Sequence, residues 1–253
     1  DAYKKLKKKF NNKIIQIKNY KKLDAIDKLF KKIKPQIIIN CVGIIKQSRN
    51  INNTNEVIYI NSILPHLFDK FAVSFKARLI HFSTDCVFVG RKGNYSEDDF
   101  PSSEDIYGRS KFLGEVKSKN SITLRTSIIG HEIDSSKSLL NWFMSKSKNV
   151  KGYINAIFSG LPVSEIAKII DKYIIPNKRL NGILHISSNP ISKYHLLLII
   201  KKIYDKKKNI LINRSKKIDR SLNSSLFRKL TGYKIKPWSQ MIREMKFIYE
   251  NEY

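Results

Sequence analysis

The stretch Pro35-Gln36-Ile37-Ile38-Ile39-Asn40-Cys41-Val42-Gly43 decides the fold. Its apolar residues follow one another without alternation, as in a strand that is covered on both faces within a parallel sheet. The preceding segment, 21–34, carries apolar residues at helical spacing, and Pro35 ends it. The pattern therefore predicts a helix followed by a buried strand.

The same alternation of helix and strand continues along the chain. We predict helices over 56–75, 106–116, 163–173 and 193–204, a helix beginning within 138–144, and strands over 78–83, 121–126 and 182–187. Such alternation is typical of an α/β fold with a parallel sheet. The carboxyl-terminal third is predicted to form a smaller lobe that packs on the first part.

The composition narrows the class of protein. An excess of 49 basic over 21 acidic residues gives a net charge of +28, which would suit a polyanionic partner. The lysines are scattered, however, and no zinc spacing or RNA-binding signature accompanies them, so we expect no nucleic-acid partner. No apolar run is long enough for a membrane span and no signal peptide is visible, so a cytoplasmic protein is expected. Cys41 and Cys86 are expected to be buried, reduced thiols.

Two groups of polar residues are candidates for a catalytic site. Ser83-Thr84-Asp85 follows a predicted strand, and Tyr107-Gly108-Arg109-Ser110-Lys111 follows a loop rich in Gly, Asp and Ser. A spacing of four puts Tyr107 and Lys111 on one face of a helix, where the ammonium can lower the pKa of the phenol. A hydroxyl from Thr84 would share the substrate oxygen, which predicts a proton-donating triad. Taken without Thr84, a surface pair of Tyr107 and Lys111 would explain the spacing equally well.

These residues carry a family resemblance. Together with Cys86-Val87-Phe88, Gly90, the segment 95–99 and Gly114-Glu115, they closely resemble the extended short-chain dehydrogenases, and within them the dTDP-4-dehydrorhamnose reductases. The similarity extends to 35–43, 124–127, 152–167 and 182–187. It implies a Rossmann-like, doubly wound parallel sheet. Residues 1–150 would form an NAD(P)-binding domain that carries the catalytic Thr, Tyr and Lys, and 151–253 would form mainly a substrate-binding lobe, interleaved with the first.

The resemblance also implies an activity: hydride transfer from NADPH, with NADH as the alternative, to a nucleoside-diphosphate 4-keto-6-deoxy sugar in surface polysaccharide precursor synthesis. Tyr107 would protonate the new hydroxyl, Thr84 would orient the keto oxygen with Ser83 as a secondary candidate, and Lys111 would bind the nicotinamide ribose. The implied cofactor contacts are Asn40, Cys41, Val42, Gly43, Tyr107, Lys111, Thr126 and Ser127. The implied substrate contacts are Thr84, Asp85 and Tyr107. No metal is implied, and a homodimer is left open.

Several residues keep a second interpretation. Asn40 and Asp85 could instead cap loops, and Cys41 could be a core residue. Arg220 and Arg228 could bind a diphosphate or be surface charges. His81 and His185, on apolar strands, are expected to be hydrogen-bonded core residues.

The sequence departs from the family at three places. None of its ten glycines forms the glycine-rich turn that binds a pyrophosphate, so we expect that turn, with the first two strands, upstream of Asp1. The sequence also differs from the family at Ile44-Ile45-Lys46-Gln47, and it has Ile128-Ile129 where an aromatic residue is usual. These differences leave the identity of the sugar undecided. A non-catalytic regulatory subunit and an epimerase or dehydratase are the alternatives. Retention of Thr84, Tyr107 and Lys111 favours the reductase.

Overall fold

The computed structural model describes residues 23–132 and 138–252. The helices are α1 (Leu23–Ile33), α2 (Thr54–Ile58), α3 (Leu64–Ser74), α4 (Ile106–Leu113), α5 (Leu139–Ser145), α6 (Val163–Ile169), α7 (Lys193–Ile203), α8 (Ser225–Thr231) and α9 (Trp238–Glu252). The strands are β1 (Ile37–Asn40), β2 (Arg78–Phe82), β3 (Ser121–Arg125), β4 (Ile128–Ile129), β5 (Val150–Tyr153), β6 (Ala156–Phe158), β7 (Leu161–Pro162), β8 (Gly182–His185), β9 (Ile191–Ser192), β10 (Ile210–Asn213) and β11 (Ile218–Asp219).

The main sheet has four parallel strands in the order β1-β2-β3-β8. Apolar side chains cover both of its faces. Ile38 and Leu79 pack with helices α1 and α3 on one face, whereas Ile80 and Ile122 belong to a larger core on the other. Because consecutive strand residues point to opposite faces, both must be apolar. The prediction of a parallel sheet from unbroken apolar runs is therefore confirmed.

The predicted helix over 56–75 is interrupted. Between α2 and α3, residues Tyr59–Ile63 form a π-helical turn in which the amide of Leu64 donates to the carbonyl oxygen of Tyr59. Helix α4 ends at Leu113, before the predicted Val116, because the amide of Gly114 closes the last turn. One difference is an extra residue within a helix, and the other is the position of a helix end. The spacing of apolar residues shows that a helix is present but does not fix such details.

The carboxyl-terminal region adds short strands that the sequence did not predict. Strand β5 pairs with β10, β6 lies between β11 and β9, and β4 pairs with β7. Strand β8 nevertheless joins the main sheet beside β3. The division of the chain at residue 150 stays a prediction. Within the described ranges, no helix is both long enough and apolar enough to cross a membrane.

A buried ion pair joins the strand ends to helix α4. Arg125, at the end of β3, donates from Nε and Nη2 to the two carboxylate oxygens of Glu115, each at 2.8 Å. The side chains are only 2% and 1% exposed. Ser83 Oγ donates to the same carboxylate at 2.7 Å, and Arg125 Nη1 lies 3.3 Å from His185 Nε2. The pair thus fixes the carboxyl ends of β2, β3 and β8 against the segment that follows α4.

We predict that Arg125→Met lowers the free energy of unfolding by about 3–5 kcal/mol, because it leaves the Glu115 carboxylate buried without its partner. The matched control is Arg91→Met, which removes an ion pair to Glu104 whose side chains are 79% and 68% exposed. That change should cost less than about 1 kcal/mol. Urea denaturation measures both values, and an equal loss in the two variants would contradict the prediction.

Candidate active site

Helix α4 places Tyr107 and Lys111, and its start is fixed by Asp105. The Oδ1 atom of Asp105 accepts from the amide of Gly108 at 2.8 Å, which caps the helix. Gly108 has no side chain, and a methyl group there would collide with the carbonyl oxygen of Cys86. The helix can therefore lie directly against the turn that follows β2.

Strand β2 ends at the second half of the site. Thr84 caps a short 3-10 turn, Asp85–Val87, because its Oγ1 accepts from the amide of Cys86 at 3.1 Å. The same hydroxyl donates to Asp85 Oδ1 at 3.2 Å. Thr84, and not Asp85, is therefore the residue that caps the turn.

These elements open onto one cleft with a volume of about 640 Å³. Its lining includes Cys41, Val42, Gly43, Ser83, Thr84, Asp85, Tyr107, Lys111, Thr126 and Ser127. The structure thus brings together at one edge of the sheet all the catalytic, cofactor and substrate contacts that the resemblance implies except Asn40. A Cβ placed on Gly43 would lie 3.9 Å from Lys111 Nζ, so the backbone after β1 lies beside the Lys111 ammonium.

Asn40 is buried and does not line the cleft. Its Nδ2 bonds to His81 Nδ1 at 3.1 Å, and its Oδ1 accepts from the amide of Val42 at 3.1 Å. The side chain thus fixes the turn after β1, as in the capping interpretation. The expectation of buried thiols is wrong, because Cys41 is exposed and Cys86 is partly exposed, and both line the cleft. The strand ends before Cys41, so that residue leaves the core.

Lys111 is buried, and its ammonium donates to the carbonyl oxygen of Phe82 at 2.6 Å. Burial lowers the pKa of Lys111 to about 8, and the negative charge of Glu115 opposes that change. The ammonium is therefore held at the end of β2, and it loses its proton at a lower pH than an exposed lysine does.

The expectation that Lys111 lowers the pKa of the phenol is wrong. Burial raises the pKa of Tyr107 well above its usual value, with Cys86 and Asp85 adding to that change and the Thr84 hydroxyl opposing it. The physical reason is that the phenol is desolvated beside acidic groups while the ammonium is bound to a backbone carbonyl. Ser83, the secondary catalytic candidate, has its hydroxyl bonded to Glu115, which turns it towards the buried ion pair.

The residue Asn61 connects the π-helical turn to the site. Its Oδ1 accepts from the amide of Ile44 at 2.8 Å, and its Nδ2 donates to the carbonyl oxygen of Ile44 at 3.0 Å and to Ser110 Oγ at 3.1 Å. The loop after β1 is thereby tied to helix α4.

Several cationic residues of the cleft were missed in the sequence. Lys46 lies with its Nζ 5.8 Å from the ring centre of Tyr107 and pairs with Asp105. Lys193 and Lys216 also line the cleft. In a chain so rich in lysine, no local pattern distinguishes them.

The two arginine candidates differ in position. Arg220 lines the cleft, and its Nε donates to the carbonyl oxygen of Phe88 at 2.7 Å. Arg228 is exposed on α8, as expected of a surface charge. The two histidine candidates are both buried. His185 has a partner at each ring nitrogen, whereas no partner within the described residues lies at His81 Nε2.

Comparison with known proteins finds relatives that match this chain over part of their own length. The chain is 27% identical over 190 residues to dTDP-4-dehydrorhamnose reductase of Aggregatibacter actinomycetemcomitans, which covers 70% of this chain and 64% of that protein. It is 30% identical over 91 residues to methionine adenosyltransferase 2 subunit beta of Xenopus laevis, which covers 36% of this chain and 27% of that protein. The chain therefore spans less than two thirds of the length of these curated relatives.

A solved structure shows the fold. The crystal structure of dTDP-4-dehydrorhamnose reductase from Bacillus anthracis in complex with NADP matches with a TM-score of 0.79 over 90% of this chain and 86% of that chain, at 20% identity. The predicted Rossmann-like α/β fold is thus confirmed. The family pattern described as the RmlD substrate binding domain matches residues 6–248. Because that match spans nearly the whole chain, the chain belongs to the RmlD substrate binding domain family.

Proposed function

We propose that the protein reduces a nucleoside-diphosphate 4-keto-6-deoxy sugar with NADPH, as a dTDP-4-dehydrorhamnose reductase does, for surface polysaccharide precursors. One observation carries the proposal: Thr84, Tyr107 and Lys111 line a single cleft at the carboxyl end of the parallel sheet. Ligands of such sheets bind at this edge.

The residues have distinct proposed roles. NADPH, when bound, supplies the hydride. Lys111 lies beside Gly43 in the cleft that Cys41 and Val42 also line, where its ammonium can donate to the nicotinamide ribose. The Thr84 hydroxyl orients the keto oxygen, and the Tyr107 phenol gives its proton to that oxygen as the hydride arrives. Thr126 and Ser127 line the same cleft and are the further proposed cofactor contacts.

The cations that line the cleft fit an anionic substrate. Lys193, Lys216 and Arg220 line it, and Arg220 is held by its bond to Phe88. Three cations around one cavity favour a diphosphate, because charge-assisted hydrogen bonds to phosphate oxygens are strong. The relative from Aggregatibacter is named for a substrate of this class, which supports the proposal.

A non-catalytic subunit is the second candidate function. It is favoured by the identity to methionine adenosyltransferase 2 subunit beta, which is 30% over 91 residues. Against it, a purely structural subunit has no need of a phenol, an ammonium and a strand-end hydroxyl that face one cavity. The first experiment is NADPH oxidation by the full-length protein with a panel of nucleoside-diphosphate 4-keto-6-deoxy sugars. Oxidation with one sugar supports the reductase, and tight NADPH binding without oxidation supports the subunit.

Tyr107→Phe should lower kcat by about 10²–10⁴-fold, because it removes the proton donor. NADPH affinity, measured by fluorescence titration, should stay within a few-fold of the parent. Turnover at the parental rate would mean that another group protonates the sugar.

Lys111→Met should weaken NADPH binding, because it removes the donor to the nicotinamide ribose, and should lower kcat, because a less well positioned nicotinamide transfers its hydride more slowly. In the parent, NADPH affinity should fall as the pH rises through about 8, because the ammonium then loses its proton. The variant should lack this dependence. Titrations of both proteins across that range provide the measurement, and identical pH profiles would refute the assignment.

Arg220→Met should raise KM for the sugar nucleotide by about tenfold or more, because a lost charged contact costs about 1.5–3 kcal/mol. KM for NADPH should be unchanged. Arg228→Met is the matched control, since that arginine is exposed. Equal KM values in the two variants would exclude Arg220 from the diphosphate site.

A further inference from the structure

We propose that the ammonium of Lys46 stabilises the negative charge that develops on Tyr107 when the phenol gives its proton to the sugar. This inference rests on the proposed reductase activity and deepens it, because it assigns to Lys46 the electrostatic role that the sequence had predicted for Lys111. Lys46 acts through Tyr107 and is therefore a positioning residue of the proton donor.

The need for a further cation follows from the surroundings of the phenol. The phenolate that forms in the proposed step is partly buried, and the burial that raises the pKa of Tyr107 also disfavours its charged form. The ammonium of Lys111 is bound to the carbonyl oxygen of Phe82 at 2.6 Å, and the nicotinamide ribose is its proposed ligand. A second positive charge beside the phenol would lower the free energy of the transition state.

Lys46 supplies this charge. Its Nζ lies 5.8 Å from the centre of the Tyr107 ring, which is within the range at which a cation and an aromatic ring attract one another. Both side chains line the same cleft. The attraction becomes stronger as the phenol loses its proton, because the ring and its oxygen then carry a full negative charge. Lys46 thus favours the transition state over the ground state.

An ion pair holds Lys46 on the helix that carries Tyr107. Lys46 Nζ donates to Asp105 Oδ2 at 2.5 Å, while Asp105 Oδ1 accepts from the amide of Gly108 at 2.8 Å. Asp105 is therefore both the cap of helix α4 and the anchor of Lys46. Its negative charge is partly compensated by the amino-terminal end of the helix, but it still opposes the effect of Lys46, so we expect a moderate gain in rate.

The proton transfer balances without a proton from Lys46. The O–H bond of Tyr107 breaks as an O–H bond forms at the sugar oxygen, whose carbon receives the hydride of NADPH. Tyr107 is left as a phenolate, and solvent returns its proton after the product leaves the cleft. Lys46 stays an ammonium throughout and contributes only its charge.

The test is a double-mutant cycle in the full-length protein with Lys46→Met and Tyr107→Phe. Single-turnover reduction by Lys46→Met should be about tenfold slower than in the parent, because one nearby charge is lost. KM for the sugar and NADPH affinity should stay within about threefold. Lys46→Arg keeps the charge and should recover most of the rate. Tyr107→Phe has no phenol to stabilise, so adding Lys46→Met should leave its residual rate unchanged.

Lys92→Met is the matched control. The Nζ of Lys92 also lies 5.8 Å from the ring centre of a tyrosine, Tyr95, and it pairs with Asp99 at 2.5 Å. Lys92 does not line the cleft, so this variant should react at the parental rate. Urea denaturation should give midpoints close to that of the parent for both lysine variants, since each pair is partly exposed.

Three results would overturn the inference while leaving the reductase intact. They are a parental rate in Lys46→Met, a further tenfold loss when Lys46→Met is added to Tyr107→Phe, and a large rise in KM for the sugar with kcat unchanged. The last result would make Lys46 a substrate contact. A full-length parent that reduces none of the sugars would instead overturn the proposed function, and this inference with it.

Discussion

The ion pair between Arg125 and Glu115 is the interaction on which the arrangement of the cleft depends. Charges buried to this extent are tolerated only when hydrogen bonds satisfy them. Ser83 and His185 provide further contacts to the pair. Three neighbouring strands and the segment after α4 are thereby joined at one point, directly behind Thr84 and Lys111.

The sequence was sufficient for the parts of the fold that repeat a simple pattern. The runs around Ile38, Ile80 and Ile122 predicted buried parallel strands because such strands need apolar residues on both faces. The spacing of Tyr107 and Lys111 predicted that they share a helix. The strands of two to four residues in the carboxyl-terminal region are too short to show a period, so the sequence could not reveal them.

The electrostatics of the cleft could not be predicted in the same way. The pKa of Tyr107 depends on burial and on acidic groups that approach from other elements, and spacing along one helix contains neither. Lys46, Lys193 and Lys216 come from three distant segments. Only the three-dimensional structure distinguishes the lysines that line the cleft from the lysines on the surface. The roles of the cleft residues themselves stay predictions, although their common location is a finding.

The π-helical turn at Tyr59–Ile63 has a consequence for comparing this chain with its relatives. A π turn holds one residue more than an α turn, so the helix after it is rotated by about 100° relative to an uninterrupted helix. Asn61 lies within this turn and bonds to both Ile44 and Ser110. In a relative whose helix is regular, an ungapped alignment would pair α3 with residues that point in another direction. A one-residue gap placed within Tyr59–Ile63 would restore the correspondence of the two helix faces.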